Sequence, residues 1–178
     1  MDLLGKGLFT RINGTLTGGV IVETEAYSWK ERGCHAYMNK MTKRNAVMFQ
    51  DGGIAYVYLC YGIHHLFNVV TNTGGKADAV LIRALEPTAG VEAMQHRMNA
   101  SKPVRITSGP GKLTRALGIG REHNGTKLDS DGLWLSDLGV KIQKKGVQAG
   151  PRIGIDYAGA DARLPWRFTV TGSQWLSK

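Results

Sequence analysis

A chain of 178 residues fits one compact domain and leaves no room for a multidomain assembly. Apolar residues make up 42% and charged residues 21%, ordinary globular usage that excludes an intrinsically disordered tail or a low-complexity scaffold. Lys plus Arg outnumber Asp plus Glu by 23 to 14, a formal net charge of +9, which favours a polyanionic partner, nucleic acid first.

The sequence contains no uninterrupted apolar run of membrane-spanning length, and Met1-Asp2-Leu3 does not begin a signal peptide. The expected setting is intracellular: cytoplasm and nucleoid in a bacterium, nucleus in a eukaryote. Cys34 and Cys60 are too few for a disulfide framework or a cysteine-based zinc site. The sequons at Asn13, Asn99 and Asn124 are therefore read as accidents of composition.

The 24 glycines, about twice the usual share of roughly 7%, punctuate short Val/Ile/Tyr-rich runs and predict many strands with tight turns. In chain order, strands are expected over residues 19–27, 54–61, 66–71, 79–85, 140–145, 152–157 and 167–171. A helix is expected over 91–99, with Thr88 as its cap. A second is expected after Ser108, where Pro110 follows a capping position and Gly118 closes the segment. Residues 99–105 and 118–131 read as surface loops. The resulting fold class is α+β, strand-rich, with no internal repeat.

On a strand, Glu23, Glu25 and Tyr27 share one face and Val20, Val22 and Ala26 the other. Two carboxylates beside an aromatic ring suit general acid–base chemistry; the competing reading is the solvent-facing side of an edge strand. Tyr56 and Tyr58 share a face of a later strand, where core packing is the alternative. Tyr61 precedes Gly62 at an expected hairpin tip and is placed to insert between stacked bases. Basic residues gather at Lys40, Lys43 and Arg44, and again at Lys112 and Arg115 of the second helix, whose N-terminus can receive a phosphate.

Several nucleotide and metal motifs fail. Ile106 stands where a Walker loop needs glycine, and Thr10 where a dinucleotide fingerprint needs one. His64 and His65 are adjacent and would point apart on a strand, and no zinc deaminase pattern is present. No metal and no nucleotide cofactor are expected.

Taken in order, V-E-T-E-A-Y at 22–27, His35, R-N-A-V-M-F at 44–49, Y-V-Y-L-C-Y-G at 56–62, Asn68, R-A-L-E-P at 83–87, S-G-P-G-K-L at 108–113 and P-R-I-G-I-D-Y-A-G at 151–159 resemble the alkyladenine (3-methyladenine) DNA glycosylase family. The resemblance runs through nearly the whole chain. It implies one mixed α/β domain on a curved antiparallel sheet flanked by helices, spanning residues 1–178. It also implies a base-excision repair enzyme that flips alkylated or deaminated purines out of duplex DNA and hydrolyses their glycosidic bond, acting as a monomer.

By that resemblance Glu25 is the general base that activates water, and Arg83 lies near that water. Tyr27, His35 and Tyr58 hold the extruded base, Asn68 limits normal guanine, and Tyr61 fills the gap in the duplex. Lys43, Arg44, Ser108, Gly109 and Lys112 are expected on the DNA backbone. His35 is also a candidate proton donor for neutral purines. Departures are a Glu25–His35 spacing one residue short and the Ile63-His64-His65 stretch; the family's helical segment ahead of Leu3–Lys6 is expected to be lacking. The rival reading is a catalytically silent module that binds damaged DNA. The retained Glu25 favours the enzyme.

Overall fold

The structure, a computed structural model, describes residues 1–177. Its organising element is one long strand, β2 (Thr15–Ser28), flanked on one side along most of its length by β5 (Asp78–Ala89). The other side of β2 is shared: β1 (Gly7–Ile12) pairs with its first residues, and β8 (Arg167–Val170) pairs with Glu23–Glu25. Beyond β5 lie β4 (His64–Val70) and β3 (Ala55–Cys60); beyond β1 lies β6 (Leu133–Ser136), and β7 (Val147–Gly150) pairs with β8. Every one of these pairings is antiparallel. The β2–β5 ladder shifts register between Gly18 and Gly19 and again between Ile21 and Thr24, and such irregularities bend a strand and curl its sheet. Gly19 permits the first of these, because a Cβ there would collide with the Glu86 carbonyl.

Alternation on β4 and β5 divides the core from the site. Phe67, Val69 and Ile82 join Leu113 and Leu117 of helix α2 (Pro110–Leu117) and Met94 of helix α1 (Val91–Met98) in the main core. The intervening Leu66, Asn68, Leu81 and Arg83 line a cleft. A second cluster, built on Cys34, Met48, Phe49, Tyr56 and Val70, supports the far wall. The Leu117 carbonyl near the end of α2 accepts the Thr10 hydroxyl at 2.7 Å.

The α+β class and curved antiparallel sheet agree with the sequence reading, as do both helices. Four expectations need correction. Residues 140–145 form no strand: β6 already occupies the edge of β1, and the chain joins the sheet only at Val147. Residues 152–157 form none either, because Gly154 adopts φ 77° and Arg152 is drawn into a buried ion pair. Ser108 is not a helix cap, since Gly109 holds that position at φ 119°; Thr88 lies within β5, and Gly90 precedes α1. Strands β1, β6 and β7 went unanticipated. Each is too short for its alternation to stand out; β1 pairs with its sequence neighbour β2 across Asn13-Gly14, and β6 with the distant β1.

The β3–β4 hairpin makes a stability prediction. Phe67 is fully buried while Ile63, at the turn, is 73% exposed. Phe67→Ala is expected to cost about 3–5 kcal/mol, and Ile63→Ala within about 0.5 kcal/mol, read from urea midpoints. Equal losses would contradict the division between core and tip.

Candidate active site

Register assembles the site. Tyr56 pairs with Asn68, Asn68 with Leu81, Leu81 with Glu25, and Glu25 with Arg167, so one row of side chains crosses five strands. Above it opens a cleft of about 660 Å³ walled by Tyr27, His35, Tyr56, Tyr58, Asn68, Ile153 and Tyr157, a size in the usual range for a small organic ligand. The Tyr56 and Tyr58 ring centroids are 5.3 Å apart, and His35 lies edge-on to Tyr58 at 4.5 Å. Burial pushes the phenol of Tyr56 up to about 12, and those of Tyr27 and Tyr58 are raised further by the same cause. All three remain protonated donors at neutral pH.

Glu23 and Glu25 are both fully buried at the base of this cleft, which corrects the edge-strand alternative: β2 is an interior strand, and its acidic face is enclosed. Glu25 accepts the Tyr27 hydroxyl at 2.8 Å and Arg83 Nη1 at 3.2 Å, both on Oε2, and the Ile153 amide at 2.7 Å on Oε1. Arg83 is 6% exposed and stands between the carboxylates, with Nε 3.0 Å from Glu23 Oε1. Glu23 also accepts Arg167 Nε at 2.8 Å. Burial alone would raise the Glu23 carboxyl, but hydrogen bonds from Ser177 and Arg167 and the charge of Arg83 hold it below its ordinary value. It is an anion at neutral pH.

A second buried pair fixes the loop that carries Ile153. Arg152 grips Glu31 bidentately, 2.7 Å on each arm, and its guanidinium lies 4.6 Å from the Tyr27 ring centroid. Removing one partner of such a pair typically costs about 3–5 kcal/mol. Arg152, Glu31, Glu23, Arg167, Ile153 and Tyr157 were missed as site residues. Their partners lie 58 to 154 residues away in sequence or on loops, and the one available signal was the pairing of Glu23 with Glu25 on a shared face.

Of the expected residues, Tyr27, His35, Arg44, Tyr58, Tyr61, Asn68, Arg83, Ser108, Gly109 and Lys112 all line the cleft. Glu25 lies directly beneath, through its bonds to Tyr27, Arg83 and Ile153. Asn68 donates to the Tyr56 carbonyl at 3.1 Å. Arg44 is stacked 5.1 Å from the Tyr58 ring centroid. Lys43 is exposed and stands outside this lining. Tyr61 is 86% exposed at φ 50°, followed by Gly62 at φ 71° and closed by an Ile63 N–H bond to the Cys60 carbonyl. That geometry is a type I′ turn, and a tyrosine held in it carries backbone strain of the kind found at functional sites. Ser108 is buried beside the N-terminus of α2, its Oγ without a partner among the described residues. Those residues also contain no cluster of three or more His, Cys, Asp or Glu able to hold a metal ion, and no helix long and apolar enough to cross a membrane.

A basic protein whose aromatic cleft ends on a buried, arginine-bound carboxylate has the equipment of an enzyme for a planar ligand carried on a polyanion. Residues 1–174 match the family model described as methylpurine-DNA glycosylase (MPG), and the chain belongs to that family. It is 47% identical over 172 residues to a protein of Chlamydia felis (95% of this chain, 87% of that one). It is 46% identical over 177 residues to one of Rhodopseudomonas palustris (99% and 83%), and 43% over 187 residues to one of Bacillus cereus (99% and 91%). All three bear the name "Putative 3-methyladenine DNA glycosylase". The protein is thus a DNA glycosylase, a hydrolase of N-glycosidic bonds, with DNA as its substrate.

His35 yields a titration test. Although the residue as a whole is exposed, its ring faces the cleft wall, with Nδ1 2.9 Å from the Tyr56 hydroxyl. Desolvation there, then the Arg44 charge, pushes the imidazole down from 6.5 to about 4. It is neutral at pH 7, which does not suit the expected role as proton donor to neutral purines. NMR should find the His35 ring titrating well below the ordinary value, and Arg44→Ala should raise that midpoint. A wild-type midpoint at or above 6.5 would contradict this environment.

Proposed function

We propose that this protein extrudes an alkylated or deaminated purine nucleotide from duplex DNA into the aromatic cleft and hydrolyses its glycosidic bond with a water activated by Glu25. The observation that carries the reading is the bonding of Glu25. Oε2 is occupied by Tyr27 and Arg83, whereas among the described residues Oε1 accepts only the Ile153 amide, which leaves it a lone pair to bind the water. The water oxygen bonds to C1′, the C1′–N bond breaks with its electrons leaving on the base, and Glu25 takes the proton. Its negative charge also stabilises the oxocarbenium-like transition state.

The remaining residues supply binding. Tyr27, His35 and Tyr58 face the planar base, and stacking offsets the few kcal/mol lost on unstacking. Asn68 limits entry of normal guanine. Tyr61 enters the gap left by extrusion. Lys43, Arg44 and Lys112 contact the phosphates, and the buried Ser108 hydroxyl with the Gly109 end of α2 receives one of them. A methylated purine that is already cationic departs neutral, while a neutral purine takes its proton from solvent rather than from His35.

Glu25→Gln keeps the shape of the side chain but cannot take the proton. It is expected to lower single-turnover excision by at least about 100-fold while duplex affinity holds; a near-wild-type rate would remove Glu25 from the mechanism. Tyr61→Ala is expected to lower the signal of an extruded ethenoadenine far more than affinity for undamaged duplex. An unchanged signal would reject the wedge.

A further inference from the structure

Glu23 has no place in the steps above, yet it accepts four hydrogen bonds. These come from Arg83 Nε at 3.0 Å, Arg167 Nε at 2.8 Å, the Ser177 amide at 2.6 Å and the Ser177 hydroxyl at 2.6 Å. The Ser177 Oγ in turn accepts Arg83 Nε at 3.3 Å and Nη2 at 3.2 Å. Two nitrogens of the guanidinium are therefore held on the Glu23–Ser177 side, and Nη1 alone reaches Glu25, at 3.2 Å on Oε2.

The segment that brings Ser177 here is itself anchored. Arg105 adopts φ 57°, a conformation a bulky side chain rarely takes, and its Nη2 donates to the Leu176 carbonyl at 2.8 Å. The chain from Arg105 runs to Gly109, whose amide donates to the Arg83 carbonyl at 3.0 Å. Backbone and side chain of Arg83 are thus fixed by the same short stretch.

This arrangement opposes what the guanidinium would otherwise do. Arginine prefers to grip a carboxylate through two parallel bonds, and a released Arg83 would cover both oxygens of Glu25. That would take the Oε1 lone pair which, on the reading proposed above, holds the water. We infer that Glu23 and Ser177 are positioning residues for the glycosylase reaction: they hold Arg83 in single contact with Glu25 Oε2 and so keep a second Arg83 bond off Oε1, whose remaining lone pair takes the attacking water. The inference rests on the assignment of Glu25 as general base.

The test uses the whole protein and one duplex carrying a single methylated purine, with excision followed under single turnover and duplex affinity measured separately. Ser177→Ala is expected to slow excision about tenfold, the size of one lost hydrogen bond to a charged group, at unchanged affinity and with the melting temperature lowered by only several degrees. Ser177→Thr should restore the rate. In an Arg83→Gln background Ser177→Ala should cost nothing further, because the group it positions is gone. Glu23→Gln should be slower still if it folds; the Ser177 variants carry the test whether or not it does. Wild-type excision by Ser177→Ala, an equal loss of affinity, or a tenfold loss persisting in the Arg83→Gln background would overturn the inference. Glu25→Gln measured alongside separates the two claims: rapid excision by that variant refutes the general base, whereas its inactivity beside a fully active Ser177→Ala refutes only the positioning role.

Discussion

The structure depends on one guanidinium shared by two buried carboxylates. Glu23 and Glu25 are each fully enclosed, and an unpaired ion in such a place would cost several kcal/mol in lost hydration. Arg83 from β5 offsets both charges, and Arg167 from β8 joins it on Glu23. The requirement reaches outward from there. Strand β2 must lie between β5 and β8, its register irregularity must bring Arg83 level with the carboxylates, and residues near 177 must return to complete the hydrogen bonds of Glu23. The Glu31–Arg152 pair repeats the logic one step along, fixing the loop whose Ile153 amide meets Glu25.

From this charged floor the remaining features follow as layers. Tyrosines from β2 and β3 supply planar walls that stay protonated, and Asn68 adds an amide from β4. A strained hairpin tip and the N-terminus of α2 stand at the rim, where on the proposed reading a basic protein of net charge +9 would meet DNA. The division between a charged, rigid floor and an apolar, planar wall suits a reaction in which binding is dominated by stacking and rate by the placement of one proton acceptor.

Much of this was legible in the sequence, and the boundary has a physical cause. Period-two patterning located β2, β3, β4, β5 and β8, because each carries enough apolar residues on one face to stand out. Proline and glycine framed α2. The same patterning brought Glu23, Glu25 and Tyr27 together on one face, and Tyr56 with Tyr58. It could not reveal that the acidic face is buried, since that depends on Arg83, Arg152 and Arg167 arriving from 58 to 144 residues away. Residues 152–157 alternate like a strand, yet Gly154 and the Arg152 ion pair override that pattern. Ser177 gave no local signal, because its role exists only through Glu23 and Arg83.

On the proposed mechanism, water delivered by Glu25 is the nucleophile at C1′. This is tested most directly by running single-turnover excision of a methylated purine in water enriched in oxygen-18 and analysing the DNA product by mass spectrometry. Attack by water should yield free base, an unbroken strand, and one labelled oxygen on the resulting abasic deoxyribose, all of it lost in Glu25→Gln. A covalent enzyme–DNA adduct trapped by borohydride, a cleaved strand, or tight lesion binding with no base released would contradict it.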